Sequence, residues 1–289
     1  MCDTALPCPF LTTWGSGGTG NAQFSFPSGV ATDASGNVFV ADSANYRIQK
    51  FDNTGTFLTT WGSFGSGNGQ FRGIFGVGTD ASGNVFVADY GNNRIQKFDN
   101  TGTFLTTWGN FGSGDGQFND ARGVATDASG NVFVADYGNN RIQKFDNTGT
   151  FLTTWGNPGT GNGQFSLPIA VATDASGNVF VADFNNNRIQ KFTNTGTFLT
   201  TWGNPGCGDG QLDDPFGVAV DVSGNVFVAD TINNRIQEFT NAGAFVRKWG
   251  CAGSGNGQVS SPRGVAVDAS GNVFVADFSN DRIQKFACP

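Results

Sequence analysis

The segment Asn37-Val38-Phe39-Val40-Ala41-Asp42 is apolar on both alternations of an extended chain, with Val38 and Val40 on one side and Phe39 and Ala41 on the other. Four variable residues follow, then Arg47-Ile48-Gln49-Lys50-Phe51, and the whole pattern returns five more times. The closing acid stands at Asp42, Asp89, Asp136, Asp183, Asp230 and Asp277, at steps of 47 residues with no insertion or deletion. Taken as the type unit, the chain from Gly76 to Trp108 predicts four strands, Val77 to Thr79, Asn84 to Asp89, Arg94 to Phe98 and Thr103 to Trp108. The runs Asp80-Ala81-Ser82-Gly83-Asn84 and Asp99-Asn100-Thr101-Gly102 supply the turns.

A sheet that is apolar on both faces has to be covered on both. Six four-stranded antiparallel units stacked radially satisfy this, so the pattern predicts an all-β fold, a six-bladed β-propeller. A solenoid would need polar capping repeats, and the last unit is as apolar as the others. The termini point to closure as well. Phe10-Leu11-Thr12-Thr13-Trp14 is a fourth strand without its first three, and Arg282-Ile283-Gln284-Lys285-Phe286 is a third strand without its fourth. The N-terminal strand is therefore expected to complete the last blade and remove two open edges. This gives an N-terminal arm over residues 1–9 and one propeller over 10–289.

Composition narrows the function classes. The 44 Gly and 29 Phe residues suit strands joined by tight turns. A net charge of −7 and a pI near 4.4, with no run of Lys or Arg, argue against a nucleic-acid partner. No apolar stretch approaches the roughly 20 residues of a membrane span. Met1-Cys2-Asp3-Thr4 shows no signal peptide, so a secreted origin implies that a leader was removed.

Superposed by the repeat, Cys8 falls on Gly55 and Cys288 on Asn53, two positions apart in one turn, which predicts a disulfide across the seam. Cys207 and Cys251 follow Trp202 and Trp249 in consecutive loops and form a second candidate pair. Cys2 is left over, either a free thiol or a link to another chain. Bridged cysteines place the protein in an oxidising compartment, extracellular or at the cell surface.

The run Phe-Asp-Asn-Thr-Gly-Thr-Phe-Leu-Thr-Thr-Trp-Gly, followed by Gly-Ser-Gly-Asn-Gly-Gln-Phe, by Gly-Val-Ala-Thr-Asp-Ala-Ser-Gly-Asn-Val-Phe-Val-Ala-Asp and by Asn-Arg-Ile-Gln-Lys-Phe, resembles the NHL repeat from Phe10 to Phe286. The resemblance implies the propeller. The family includes RNA-binding domains, an amidating lyase, extracellular sensor domains and interaction scaffolds. Its lyase members hold a zinc ion with histidines, and this chain has none. Its RNA-binding members present a basic face, whereas this chain is acidic.

Each candidate site has a structural alternative. The Asp-x-Ser-Gly-Asn turns, such as Asp33 to Asn37, carry oxygen ligands but lack the bidentate acid that ends a calcium loop, and turn chemistry needs the same residues. The pairs Asp42 with Arg47, Asp89 with Arg94, Asp136 with Arg141, Asp183 with Arg188, Asp230 with Arg235 and Asp277 with Arg282 flank one loop of every unit. They suit a carboxylate or sugar site near the channel, but sixfold recurrence favours a lock between blades. The Trp at the end of each fourth strand, from Trp14 to Trp249, reads as packing between blades rather than a carbohydrate girdle.

Individuality is confined to two loops of each unit, which an up-and-down blade brings to one face. Tyr46, Phe64, Arg72, Tyr90, Phe111, Arg122, Tyr137, Phe184, Ile232 and Phe278 are the candidate interaction residues there. With no histidine base, no clustered thiolates and no phosphate loop, the sequence predicts neither catalytic residues nor a cofactor nor a metal. A channel-metal lyase or hydrolase would require bound metal. The expectation is a non-enzymatic extracellular structural or interaction protein that assembles with copies of itself head to tail into a filament. The alternative is an extracellular sensor that captures a peptide or glycan on the variable face.

Overall fold

Two turns reverse the chain at fixed points of every repeat. At the first, Asp33 Oδ1 accepts the N–H groups of Ser35 and Asn37 while Oδ2 accepts the Asn37 amide, all within 2.9 Å, and Gly36 takes φ +81°. At the second, Asp52 Oδ1 accepts the N–H groups of Thr54 and Thr56 and the Thr54 hydroxyl. The result in the computed structural model, which describes residues 8–288, is six antiparallel sheets of four strands each. In blade 1 these are Pro27–Thr32, Val38–Asp42, Arg47–Phe51 and Phe57–Trp61, ordered from the axis outward, and blades 2 to 5 repeat them. The innermost strand is longer than the alternation predicts, starting at Ile74 in blade 2, because Ile74 pairs with Asp89 ahead of a register shift before Val77.

Between the second and third strands five blades form a single turn of 3-10 helix, for example Tyr90–Asn92. The last residue of this connection is left-handed in all six blades, blade 5 included, which explains the recurrent Asn93, Asn140, Asn187 and Asn234. Asn93 Oδ1 also accepts the N–H of Asp120 in the next connection, at 2.8 Å.

The core lies between blades. Phe39, Ala41 and Ile48 of blade 1 pack with Ile74, Val77, Val85, Val87 and Phe98 of blade 2, and each buried Phe stabilises the stack by about 1.5–3 kcal/mol. Trp14 of blade 6 lies against the Phe51 ring of blade 1, 5.8 Å between centroids, over a turn where a Cβ on Gly55 would come within 2.7 Å of the indole. The tryptophans are therefore packed between blades. Lys50 lies over the Phe39 ring of its own blade and donates to the Asn100 carbonyl of the next. On the axis, the hydroxyls of Thr32, Thr79, Thr126 and Thr173 each donate to the inner strand of the preceding blade at 2.7–2.9 Å.

The seam closes as a shared blade. Phe10–Trp14 pairs with Arg282–Ala287, with Phe10 opposite Phe286 and Trp14 opposite Ile283, and Cys8 is bonded to Cys288 with Cα atoms 4.6 Å apart. Of the expected arm, Cys8 is fully buried and Pro9 accepts the Ala287 N–H, so both belong to the propeller. Cys2 lies outside the described residues. One pairing is corrected: Cys207 is a free, exposed thiol, while Cys251 is engaged in a disulfide, so the two do not bridge. They occupy different places in successive connections, Cys207 giving its carbonyl to Arg235 of blade 5 and Cys251 giving its own to the Val259 N–H ahead of blade 6. Among the described residues no helix is long and apolar enough to cross a membrane.

Two outcomes are expected. Replacing Cys8 and Cys288 together by Ser should lower stability by about 2–5 kcal/mol, because the bond closes almost the whole chain, and an unchanged urea midpoint would contradict it. The Thr54 hydroxyl and nearby N–H groups hold the Asp52 carboxyl down, from 3.8 to about 2, and Thr101 and Thr148 do the same for Asp99 and Asp146. Because these folded-state values are depressed, their contribution is complete above about pH 4 and is lost as pH falls towards about 2. Carboxyl NMR titration should show three midpoints well below those of the other exposed acids.

Candidate functional site at the mouth of the central channel

Of the polar groups on the variable face, the sixfold set is used up by the scaffold. The buried Asp42 carboxylate accepts from the Ser25 N–H, Asn45, Arg47 Nε and Gln49 at 2.7–3.1 Å. The same Asp–Arg pair recurs at 2.6–2.8 Å in every blade, inside one sheet and not across two. Arg47 spends its remaining donors on the carbonyls of Thr19, Gly20 and Gln23, in the connection arriving from blade 6. The pair thus pins the incoming connection, while the lysine of the same strand reaches the next blade. Burial raises the pKa of Asp136 and Asp230 against these bonds. Among the described residues no group of three or more acidic, thiol or imidazole side chains is placed to hold a metal.

Neighbouring inner strands approach closely round the axis. A Cβ on Gly264 would stand 2.7 Å from the Ser28 carbonyl, and one on Gly123 2.7 Å from the Ala170 backbone. The register position beside these glycines carries Ser28, Phe75, Arg122, Ile169, Phe216 and Arg263; all but Arg122 line the recess at the mouth, and Arg122 turns onto Tyr137 and Asp120 at its edge. Phe75 and Phe216, from opposite blades, meet with centroids 5.5 Å apart and help line a recess of about 60 Å³. The far end of the channel, about 170 Å³, is lined by the nearly uniform Thr32, Thr79, Thr126, Thr173, Val220 and Val267.

Arg122 and Arg263 also come from opposite blades, and their surroundings differ. The Arg122 guanidinium lies 3.7 Å from the Tyr137 ring centre, within 6 Å of Tyr90 and Phe75, and is paired to Asp120 at 2.8 Å. Arg263 lies 3.4 Å from the Phe278 ring centre and 4.7 Å from that of Phe216. Ser261 stands where Asp120 serves Arg122. The Arg263 Nε is buried with no hydrogen-bond partner, and burial together with the Arg122 charge lowers its pKa to about 10. Phe184 packs edge-on to Phe216 at 5.0 Å, and Phe26 stacks on Phe278 at 4.9 Å.

The structure thus brings together Tyr90, Arg122, Tyr137, Phe184 and Phe278. It sets the other candidates apart. Tyr46 packs against Phe64 away from the mouth, Phe111 and Ile232 project from their loops at 69% and 53% exposure, and Arg72 is an exposed residue whose backbone N–H serves Asp89. Phe26, Phe75, Asp120, Phe216 and Arg263 were not singled out from sequence. Their signal was present, since each stands at a register position that changes from unit to unit.

The NHL repeat pattern matches residues 24–51, 71–98, 118–145, 165–192, 212–239 and 260–286. No curated protein matches the chain in sequence. Among solved structures, a streptogramin B lyase is similar at 18% identity and a TM-score of 0.66, covering 91% of this chain and 93% of its own. A gluconolactonase from Xanthomonas campestris is similar at 12% identity and 0.70, covering 100% and 99%. A nidogen/laminin complex contains a chain similar at 20% identity and 0.60, covering 80% and 82%. At these identities the likeness is one of fold. It still corrects one expectation: two of these similar folds are enzymes, so the absence of histidine and the repetition of Asp are no ground for excluding catalysis here.

Because the Asp89 carboxylate is buried and its loss leaves Arg94 unpaired, Asp89→Ala should cost about 3–5 kcal/mol in denaturant unfolding. A loss below about 1 kcal/mol, the range of a surface ion pair, would refute the scaffold role.

Proposed function

The chain belongs to the NHL repeat family, and from that premise we propose that it is an extracellular binding module that captures a ligand or partner on its variable face, at the channel mouth. The observation that carries this reading is the convergence of Tyr90, Tyr137, Phe184, Phe216 and Phe278 around two arginines on an otherwise repeated scaffold. Aromatic faces with few polar groups suit a peptide or glycan. The seam disulfide supports a location in an oxidising compartment.

Self-assembly is the second reading, favoured by Phe64 and Phe111, which are 60% and 69% exposed on neighbouring connections of the same face. Sedimentation at increasing concentration tests it, and a monomer throughout removes it.

For the first reading, peptide and glycan arrays probed with the whole chain should give hits that a Tyr137→Ser, Phe278→Ser double variant loses by at least about tenfold. Val222→Ser, on the opposite face at a 75% exposed position, should leave them unchanged. Equal loss in both variants, or no hits with the parent protein, would defeat the reading.

A further inference from the structure

The mouth has a symmetry of its own. Along the register that lines it, blades 1 to 3 carry Ser28, Phe75 and Arg122, and blades 4 to 6 carry Ile169, Phe216 and Arg263. The sixfold scaffold therefore presents a near-twofold mouth, two phenylalanines facing each other along one diameter and two arginines along another. The two halves differ in charge compensation. Arg122 has an acid two residues before it, bonded at 2.8 Å, and Arg263 has Ser261. No carboxylate lies within ion-pair distance of Arg263 among the described residues, and its Nε is buried without an acceptor.

Arg263 is half-buried, and a cation partly withdrawn from water with a buried, unsatisfied Nε and no counter-charge is costly to the fold, the more so beside a second cation. Such an arrangement fits a site whose missing partner is an anion. The chain as a whole carries −7, so the positive mouth is a local feature and not a reflection of bulk charge. Guanidinium is planar and matches a carboxylate through two parallel donors, and here Phe278 and Phe216 fix its plane. The recess of about 60 Å³ holds a few waters at most, so only the charged tip of a ligand enters and its body rests on the aromatic rim.

We propose that Arg263 is the anchor for the carboxylate of a ligand with an aromatic or apolar body, laid across the Phe75–Phe216 pair towards Phe278. Arg122, already neutralised by Asp120, contributes a wall stacked on Tyr137 and not a second anchor. This rests on the reading of the mouth as a capture site, and it supplies the chemistry of what is captured.

The test uses the whole chain with phenylacetate, its methyl ester and inorganic phosphate, read by calorimetry and by thermal shift. Phenylacetate should bind with a dissociation constant on the order of millimolar, and the ester and phosphate at least about tenfold more weakly. Arg263→Met, which keeps the stem on Phe278, should lose phenylacetate binding at least tenfold. Ser261→Asp, which gives Arg263 the partner that Arg122 has, should do the same with the arginine still in place. Arg122→Met should reduce binding far less than Arg263→Met. Ester binding as tight as the acid would overturn the carboxylate assignment and leave the mouth a capture site. Phosphate binding as tight as phenylacetate would overturn the part given to the aromatic rim. No binding of any probe, with array hits retained, overturns the inference alone; with no array hits either, the capture reading falls too.

Discussion

Every sheet in this protein is apolar on both sides, and that is the constraint from which the rest follows. Val38 and Val40 of blade 1 pack towards blade 6, while Phe39 and Ala41 pack towards blade 2, so no sheet is stable by itself and none can be last. Closure is the only arrangement that shields all of them. It also sets the size of the channel, because the inner strands must come close enough for Gly123 and Gly264 to be necessary.

Closure also determines where chemistry is available. Repetition gives each blade the same Asp, Arg, Asn and Gln, and the fold consumes them in fixing its connections, leaving the buried carboxylates with no spare acceptor for a ligand. What remains is found where the register departs from sixfold. The mouth, with Phe75, Arg122, Phe216 and Arg263 in place of a uniform ring, is the largest such departure near the axis, and the far end of the channel is almost without one.

The architecture was legible because its signal was repeated six times: strand pattern, turn acids and the half-blades at Phe10 and Phe286 all agree with the folded chain. The seam disulfide could be read from repeat arithmetic, since Cys8 and Cys288 fall in one turn. The same arithmetic did not serve Cys207, whose loop follows that of no paired cysteine. The 3-10 turns were hidden by their length of three residues. At the mouth, Arg122, Phe216 and Arg263 share one register position ahead of a Gly-Val pair in the innermost strand, and of the three only Arg122 was picked out by loop variation. Only the folded ring shows that they face one another. That a propeller hosts a lyase or a gluconolactonase is a fact about folds and not about any residue of this chain.

The ring is not tied equally all the way round. Val220 and Val267 stand where four other blades have the axial threonine, and Glu238, bonded to Arg247 of its own blade, replaces the lysine that elsewhere reaches the neighbour. The junction of blades 5 and 6 therefore lacks both recurrent links, and keeps on its variable-face side the Thr231 hydroxyl donating to the Pro262 carbonyl at 2.7 Å. The variable-face side is further tied by Asn234 Oδ1, which accepts the Ser261 N–H at 2.8 Å, so between the two blades the back of the disc relies on the apolar core of Phe227, Ala229 and Ile236 against Val265, Val273 and Val275. Polar cross-links round the ring are thus unevenly shared, and the loss of those two at one joint falls on the threonine-lined end of the channel and not on the aromatic rim.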